Sequence, residues 1–173
     1  LPVVTRLEDT LAMAMARGEV LDATLARTEA QRAEMWAARE AAAEITFAQK
    51  PHVDTDISLP LDRMQDFLTA MTARLHALDP GADELAIAHL GDGNFHYTAF
   101  PTRDDAPLLA ALRNAVAEEA VRLGGSFSAE HGIGLSKRPT MADHKDPVAL
   151  DVMARIKAAL DPQGLLNPGK VLP

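Results

Sequence analysis

The stretch ELAIAHLGDGNFHYTAF, residues 84–100, decides how this chain folds. Its arms, Glu84–Leu90 and Asn94–Phe100, read as strands around Gly91-Asp92-Gly93, a hairpin signal. An Asp-Gly pair favours a two-residue turn. With Asp92-Gly93 as that turn, His89 stands directly opposite His96 and the two side chains share a face, Cβ atoms ~4.5–5.5 Å apart. Two imidazoles so placed can hold one metal ion or share one hydrogen-bonded ligand. A one-residue slip of register would separate them.

Working outward, Val53, Thr55, Ile57 and Leu59 alternate with polar residues, so 52–58 reads as a strand. Pro60 suits a helix start. Leu61, Met64, Phe67, Leu68, Met71, Leu75 and Leu78 then follow helical spacing to the stop at Asp79-Pro80-Gly81. Beyond the hairpin, Asp104 or Asp105 can cap a helix whose apolar face carries Leu108, Leu109, Leu112, Val116 and Leu123. Gly124-Gly125 closes that helix, and Ser126–Glu130 reads as a short strand. The order strand, helix, strand, strand, helix, strand is the split βαβ, or ferredoxin-like, order. The expected class is α+β, helices packed on one face of an antiparallel sheet.

The flanks are less patterned. Residues 6–17 read as a helix ended by Gly18, Val20–Ala26 as a weak strand, and 29–48 as one long Ala-rich helix. Residues 131–145 read as a Gly-, Pro- and Lys-bearing loop. A last helix runs from Asp146-Pro147 to Leu160, and the tail 164–173 is irregular. At 173 residues the chain suits one domain, 1–173, able to bury roughly 70% of its unfolded surface. Net charge is −8, which argues against a nucleic-acid binder built on phosphate contacts. Cysteine is absent, which excludes disulfides and thiolate metal sites. No apolar run reaches the ~18 residues of a membrane span. The chain opens Leu1-Pro2-Val3-Val4 with neither Met nor signal peptide, as expected of a piece of a longer protein. Its Ala, Arg and Pro richness suggests a high-GC bacterial source.

Six histidines are present, and three fall in two conspicuous segments. One is the hairpin. The other is Ser126-Phe127-Ser128-Ala129-Glu130-His131-Gly132-Ile133-Gly134, a carboxylate beside a histidine, followed by glycines that let backbone come close to a ligand. Two histidines and a glutamate, His89, His96 and Glu130, compose a three-ligand set with open positions, as catalytic metal sites have. Zn suits it, and Mn or Fe would accept the same donors. The bland reading of His52, His76 and His144 is surface or core residues. Gly132-x-Gly134-x-x-Lys137 lacks the spacing of a phosphate loop. The methionines read as core filler.

Five segments taken together resemble the C-terminal domain of FAD-linked oxidases of the vanillyl-alcohol oxidase superfamily. They are His89 to His96, Ser128 to Gly134 with Lys137, Leu160-Asp161-Pro162, Leu166-Asn167-Pro168-Gly169-Lys170, and Asp56-Ile57-Ser58-Leu59-Pro60. Trp36-Ala37-Ala38-Arg39-Glu40 is similar too. Within that superfamily the resemblance is to the D-lactate dehydrogenase, glycolate oxidase FAD subunit and D-2-hydroxyglutarate dehydrogenase group, and it covers nearly the whole chain. It implies a cap domain carrying substrate and metal, with FAD held mainly by an N-terminal domain this chain lacks, so that the isolated piece is inactive. It implies a divalent metal, usually Zn, at His89, His96 and Glu130, and a base at His131. It places substrate at Arg39, Asn94 and Thr98 and cofactor contacts at Gly132, Gly134, Lys137 and Asn167. The implied reaction is hydride transfer from a D-2-hydroxy acid to flavin, giving a 2-oxo acid.

The implied electron acceptor is a quinone, a cytochrome or electron-transfer flavoprotein, and a homodimer is open to such a domain. The implied place is the bacterial cytoplasm or the periphery of the inner membrane. Departures from the family bear on substrate. Asp54 stands where the metabolite-specific dehydrogenases carry Lys, and a carboxylate there repels a second substrate carboxylate. Thr98 replaces an Asn of some relatives but still donates a hydrogen bond, and Ala43 replaces a Thr. In a simple sheet of the expected order, Glu130 would end far from the His89/His96 turn. A larger, duplicated sheet including Val20–Ala26 would bring them together. Competing readings are a metal-free cap of an FAD-linked oxidase, a zinc hydrolase on the same residues, and a non-catalytic oligomerisation domain.

Overall fold

The computed structural model describes residues 2–173, apart from the side chains at 42, 43 and 45. Ala43 is thus outside the described side chains. The chain divides into two compact units, Leu1–Ile45 and Thr46–Pro173. The first holds α1 (Val3–Ala16) and α2 (Glu29–Glu40), and α3 (Ala42–Ala48) begins in it. Neither α1 nor α2 buries a residue. α2 is fixed at its start by a reciprocal cap, in which Gln31 N–H donates to Thr28 Oγ1 and Thr28 N–H to Gln31 Oε1, each at 3.2 Å. The expected single helix over 29–48 is interrupted at Ala41, whose carbonyl accepts from Glu44 N–H at 3.1 Å.

The second unit contains β1 (Val53–Ser58), a 3-10 turn (Leu61–Arg63), α4 (Met64–Leu78), β2 (Asp83–His89) and β3 (Asn94–Phe100). α5 (Ala106–Arg122), α6 (Arg138–His144) and α7 (Pro147–Leu160) follow. The strands form one antiparallel sheet in the order β1-β3-β2. The fold is α+β, and its core forms where α4 and α5 meet one face of that sheet. α4 contributes Met64, Phe67, Met71 and Leu75 at helical spacing, and α5 contributes Leu108, Leu112, Ala115 and Val116. The sheet contributes Val53, Ile57, Phe95, Tyr97 and Ala99. Phe67 meets Phe95 and Tyr97 edge-on, with centroids at 5.4 and 5.6 Å. Burial, then Glu84 accepting its hydroxyl at 2.6 Å, raises the Tyr97 pKa.

Four expectations are corrected. The hairpin turn is Leu90–Gly93, four residues long, so His89 pairs with Asn94 and His96 with Ile87. Asp92 Oδ1 accepts from Asn94 N–H at 3.1 Å and Gly93 takes φ +82°, which stabilises the longer turn. The shift is even, so His89 and His96 keep the same face and become diagonal neighbours. Second, Val20–Ala26 forms no strand and Leu21 is 96% exposed. The larger duplicated sheet is therefore not formed among the described residues.

Third, the strand expected over Ser126–Glu130 shrinks to one antiparallel bridge, Ser58 with Ser126. Its place beside β1 is where the last strand of the split βαβ order would lie. Fourth, the loop over 131–145 contains α6, opened by Pro139 in its first turn and anchored by Met141, 1% exposed.

Two glycines make the end of β1 possible. A Cβ on Gly93 would sit 2.2 Å from the Leu59 carbonyl oxygen, and one on Gly125 2.1 Å from that of Ser58. Only backbone fits on either side of this corner. At the C-terminus, Asp161 accepts from Leu165 N–H at 2.8 Å and Leu166 N–H at 2.9 Å and pairs with Lys157. Lys157 foremost, then the Leu166 amide, holds its carboxyl down to about 2. No described helix is long and apolar enough to cross a membrane.

Phe67 is fully buried between both neighbours, so Phe67→Ala should cost about 3–5 kcal/mol in urea unfolding. Gly125→Ala should also destabilise, because its methyl meets backbone that no rotamer change can move.

Candidate functional site

The sheet face turned away from the core is polar along β1 and β3, while β2 adds Leu85 and Ile87 to it. Register puts Asp54, Asp56 and Ser58 of β1 across from Thr98, His96 and Asn94 of β3, with His89 beside Asn94 on β2. Period-two alternation produces this face. The odd-numbered residues of β1 that enter the core leave its two aspartates on the other side.

Asp56 organises the loop that follows the Ser126 bridge. Its Oδ2 accepts three consecutive backbone N–H groups, Ala129 at 3.2 Å, Glu130 at 2.9 Å and His131 at 2.9 Å. Successive amides converging on one oxygen form an anion nest, here filled by a side chain of the same chain. Lys137 Nζ stands 3.5 Å from the same oxygen and His131 Nδ1 3.8 Å. Asp56 is 2% exposed. Burial pushes its carboxyl upward, but the His131 and Glu130 amides, then Lys137 and His131, outweigh burial and hold it below the usual carboxylate range.

This contact turns the chain back over β1. It is how Glu130 reaches His96 without a larger sheet. One donor atom each from Asp56, His96 and Glu130 lies within 4.8 Å of the others. Asp56 is buried, His96 half-buried and Glu130 exposed, so the cluster opens to one side. His89 stands outside this group but beside it, its ring centroid 5.7 Å from that of His96. His131, with 60% of its side chain exposed, lies on the other flank, 6.0 Å from His96 centroid to centroid. The donors are nitrogen and oxygen, a set that suits Zn, Mn or Fe. Two kinds of buried polar atom have no partner among the described residues: Asp56 Oδ1, and both amide atoms of Asn94. Buried polar atoms left unpaired are costly, so this polar cluster fits a bound cation or ligand.

The remaining expected positions separate into those near the cluster and those apart from it. Thr98 is buried and its Oγ1 donates to Asp54 Oδ1 at 2.9 Å, two rungs from the Asp56–His96 pair. Gly132 and Gly134 follow His131 with φ +68° and +56°. Lys137 Nζ donates to Ser128 Oγ at 2.7 Å, and Ser128 Oγ to the Gly132 carbonyl at 2.8 Å, bracing the loop from inside. Asn167, at φ 47°, lines a separate hollow with Arg138, Lys157 and Gly164. Arg39 belongs to the first unit, where its guanidinium lies 5.7 Å from the Trp36 ring centroid and pairs with Glu40 at 2.8 Å. Asp56 received no role from its sequence. The available signal was a second aspartate, in step with Asp54, in a strand whose other face is core.

Because the Asp56 pKa is lowered, its contribution to stability is fully present above the unfolded value of about 3.9 and is lost as pH falls through the lower folded value. Asp56→Ala should therefore cost about 1–3 kcal/mol at pH 7, for amides left without their acceptor. Parallel urea titrations of wild type and variant should show that gap narrowing as pH drops below 4.

Comparison with known proteins follows the same outline. A family model described as FAD linked oxidases, C-terminal domain, matches residues 3–171. Over 157 residues the chain is 40% identical to the mitochondrial D-2-hydroxyglutarate dehydrogenase of Bos taurus, covering 90% of this chain and 28% of that protein. Over 162 residues it is 35% identical to the D-2-hydroxyglutarate dehydrogenase of Xanthomonas citri pv. viticola, covering 91% of this chain and 34% of that one. A protein of Danio rerio named "Probable D-lactate dehydrogenase, mitochondrial" is 32% identical over 157 residues, 87% of this chain and 31% of its own length. The chain thus spans about a third, or less, of the length of these relatives.

Proposed function

This chain belongs to the family of FAD linked oxidases, C-terminal domain, and on that premise we propose that it is the substrate- and metal-binding part of a longer FAD-dependent dehydrogenase. The reaction is oxidation of a D-2-hydroxy acid to a 2-oxo acid. The relatives' names support the substrate class. The observation that carries the reading is the open cluster of His96, Glu130 and Asp56 with His131 at its flank.

His96 and Glu130, with His89 beside them, would hold a divalent cation, Zn being the first choice for such donors. A bound flavin would supply the hydride acceptor for C2 of the substrate, and a bound cation would lower the pKa of the substrate hydroxyl. His131 accepts the hydroxyl proton on its imidazole, within a loop whose backbone Asp56 fixes. Arg39 grips the C1 carboxylate through parallel N–H donors. Asn94 supplies an amide that is buried and has a donor and an acceptor free. Thr98 faces the substrate side, and Gly132, Gly134, Lys137 and Asn167 meet the cofactor. Asp54 disfavours a second carboxylate, so the acid oxidised carries one. The electron acceptor is a quinone, a cytochrome or electron-transfer flavoprotein.

The test uses the intact flavoprotein. About one metal per chain should be found, and His89→Ala should lose it together with flavin reduction by D-lactate. His131→Ala should slow flavin reduction by about 10²–10⁴-fold while metal content is kept. Reduction that survives removal of the metal would favour a metal-independent cap instead. Faster reduction by D-2-hydroxyglutarate than by D-lactate would refute the role given to Asp54.

A further inference from the structure

The two oxygens of Asp56 have unequal surroundings. Oδ2 is saturated by the amides of residues 129–131. Oδ1 is buried and has no partner among the described residues. An ionised carboxylate with one oxygen buried and unpaired is costly unless something positive meets it. Lys137 does not, because its Nζ approaches Oδ2 and is engaged by Ser128. One carboxylate oxygen of Asp56 lies within 4.8 Å of a donor atom of His96 and of one of Glu130.

The register makes this arrangement rigid. Asp56 and His96 are directly opposed on adjacent strands, whereas His89 is one diagonal step away. Ligand bonds to Zn are ~2.0–2.2 Å, so donor atoms on one ion lie up to ~4.4 Å apart. The three donor atoms lie within 4.8 Å of one another, and Glu130, exposed and long, can supply the closure on one ion.

From this we infer that Asp56 Oδ1 is itself a ligand of the cation, alongside His96 and Glu130. The inference rests on the cation reading above and extends it. One carboxylate would then serve both purposes, its Oδ2 fixing the loop that brings Glu130 and its Oδ1 binding the ion that Glu130 meets.

The test is calorimetric titration of the chain with Zn²⁺, using His96→Ala and Asp56→Asn. The Asn amide oxygen can still accept the three N–H groups, so melting temperature should change little. Affinity should nevertheless fall at least tenfold, about the least that even outer-shell partners of a metal site contribute. The visible spectrum of the Co²⁺-loaded chain should change as well. Wild-type affinity in Asp56→Asn, with binding lost in His96→Ala, would overturn the inference and leave the cation reading standing. No binding by the wild type would refute both. Should Asp56→Asn fail to fold, carboxyl-carbon NMR of the unmutated chain decides. The Asp56 resonance should move on adding one equivalent of Zn²⁺, and an unmoved resonance would overturn the inference.

Discussion

Three backbone amides converging on one carboxylate oxygen hold this site together. Asp56 sits on a strand whose opposite face is locked into the core by Val53 and Ile57. Its position is therefore as fixed as the sheet. Through Oδ2 that rigidity passes to residues 129–131, a stretch with no ladder or helix of its own. Glu130 and His131 are exposed side chains on a loop, yet their backbone is tied to the core one bond removed. Lys137 reinforces the tie twice, by charge toward Asp56 and by its bond to Ser128. A loop so held offers reactive groups that stay reachable and still keep their geometry, as functional sites require.

Most of the fold was legible because its strongest signals are periodic. Met64, Phe67, Met71 and Leu75 mark one helix face, and Val53, Thr55 and Ile57 mark one strand. These patterns survive because the core enforces them. Turn length did not show through, because Asp-Gly and Gly-Asp-Gly read alike until Asp92 is seen bonding the Asn94 amide. The fourth strand was misread for a related reason. Its amides beyond Ser126 go mostly to a side chain, and no residue pattern reports such a diversion. α6 hid behind a loop-like composition and rests on one buried methionine, Met141.

The site divides along the same line. Residue types at their spacing singled out His96, Glu130 and His131, and the hairpin put His89 near them. Asp56 escaped, because aspartate in a strand looks like a solvated residue until the other side of the strand is known to be full. The difficulty of joining Glu130 to the hairpin pointed at a real problem. Its solution is a loop folded over the sheet and pinned to it, where a larger sheet had been expected. Arg39 stands in the other compact unit, and no periodicity or spacing in the sequence singles it out.

The even register of the hairpin bears on how this domain can evolve. Residues gained or lost within the Leu90–Gly93 turn can leave His89 paired with Asn94 and every side chain on its own face. A single insertion within the arms would invert the hairpin, sending imidazoles into the aromatic cluster around Phe67 and phenyl rings into the polar cleft. The turn is freer than the arms, because hairpin loops of about two to five residues all close an antiparallel pair without changing its faces. Turn length can therefore vary among descendants of this sequence while the alternation within each arm cannot.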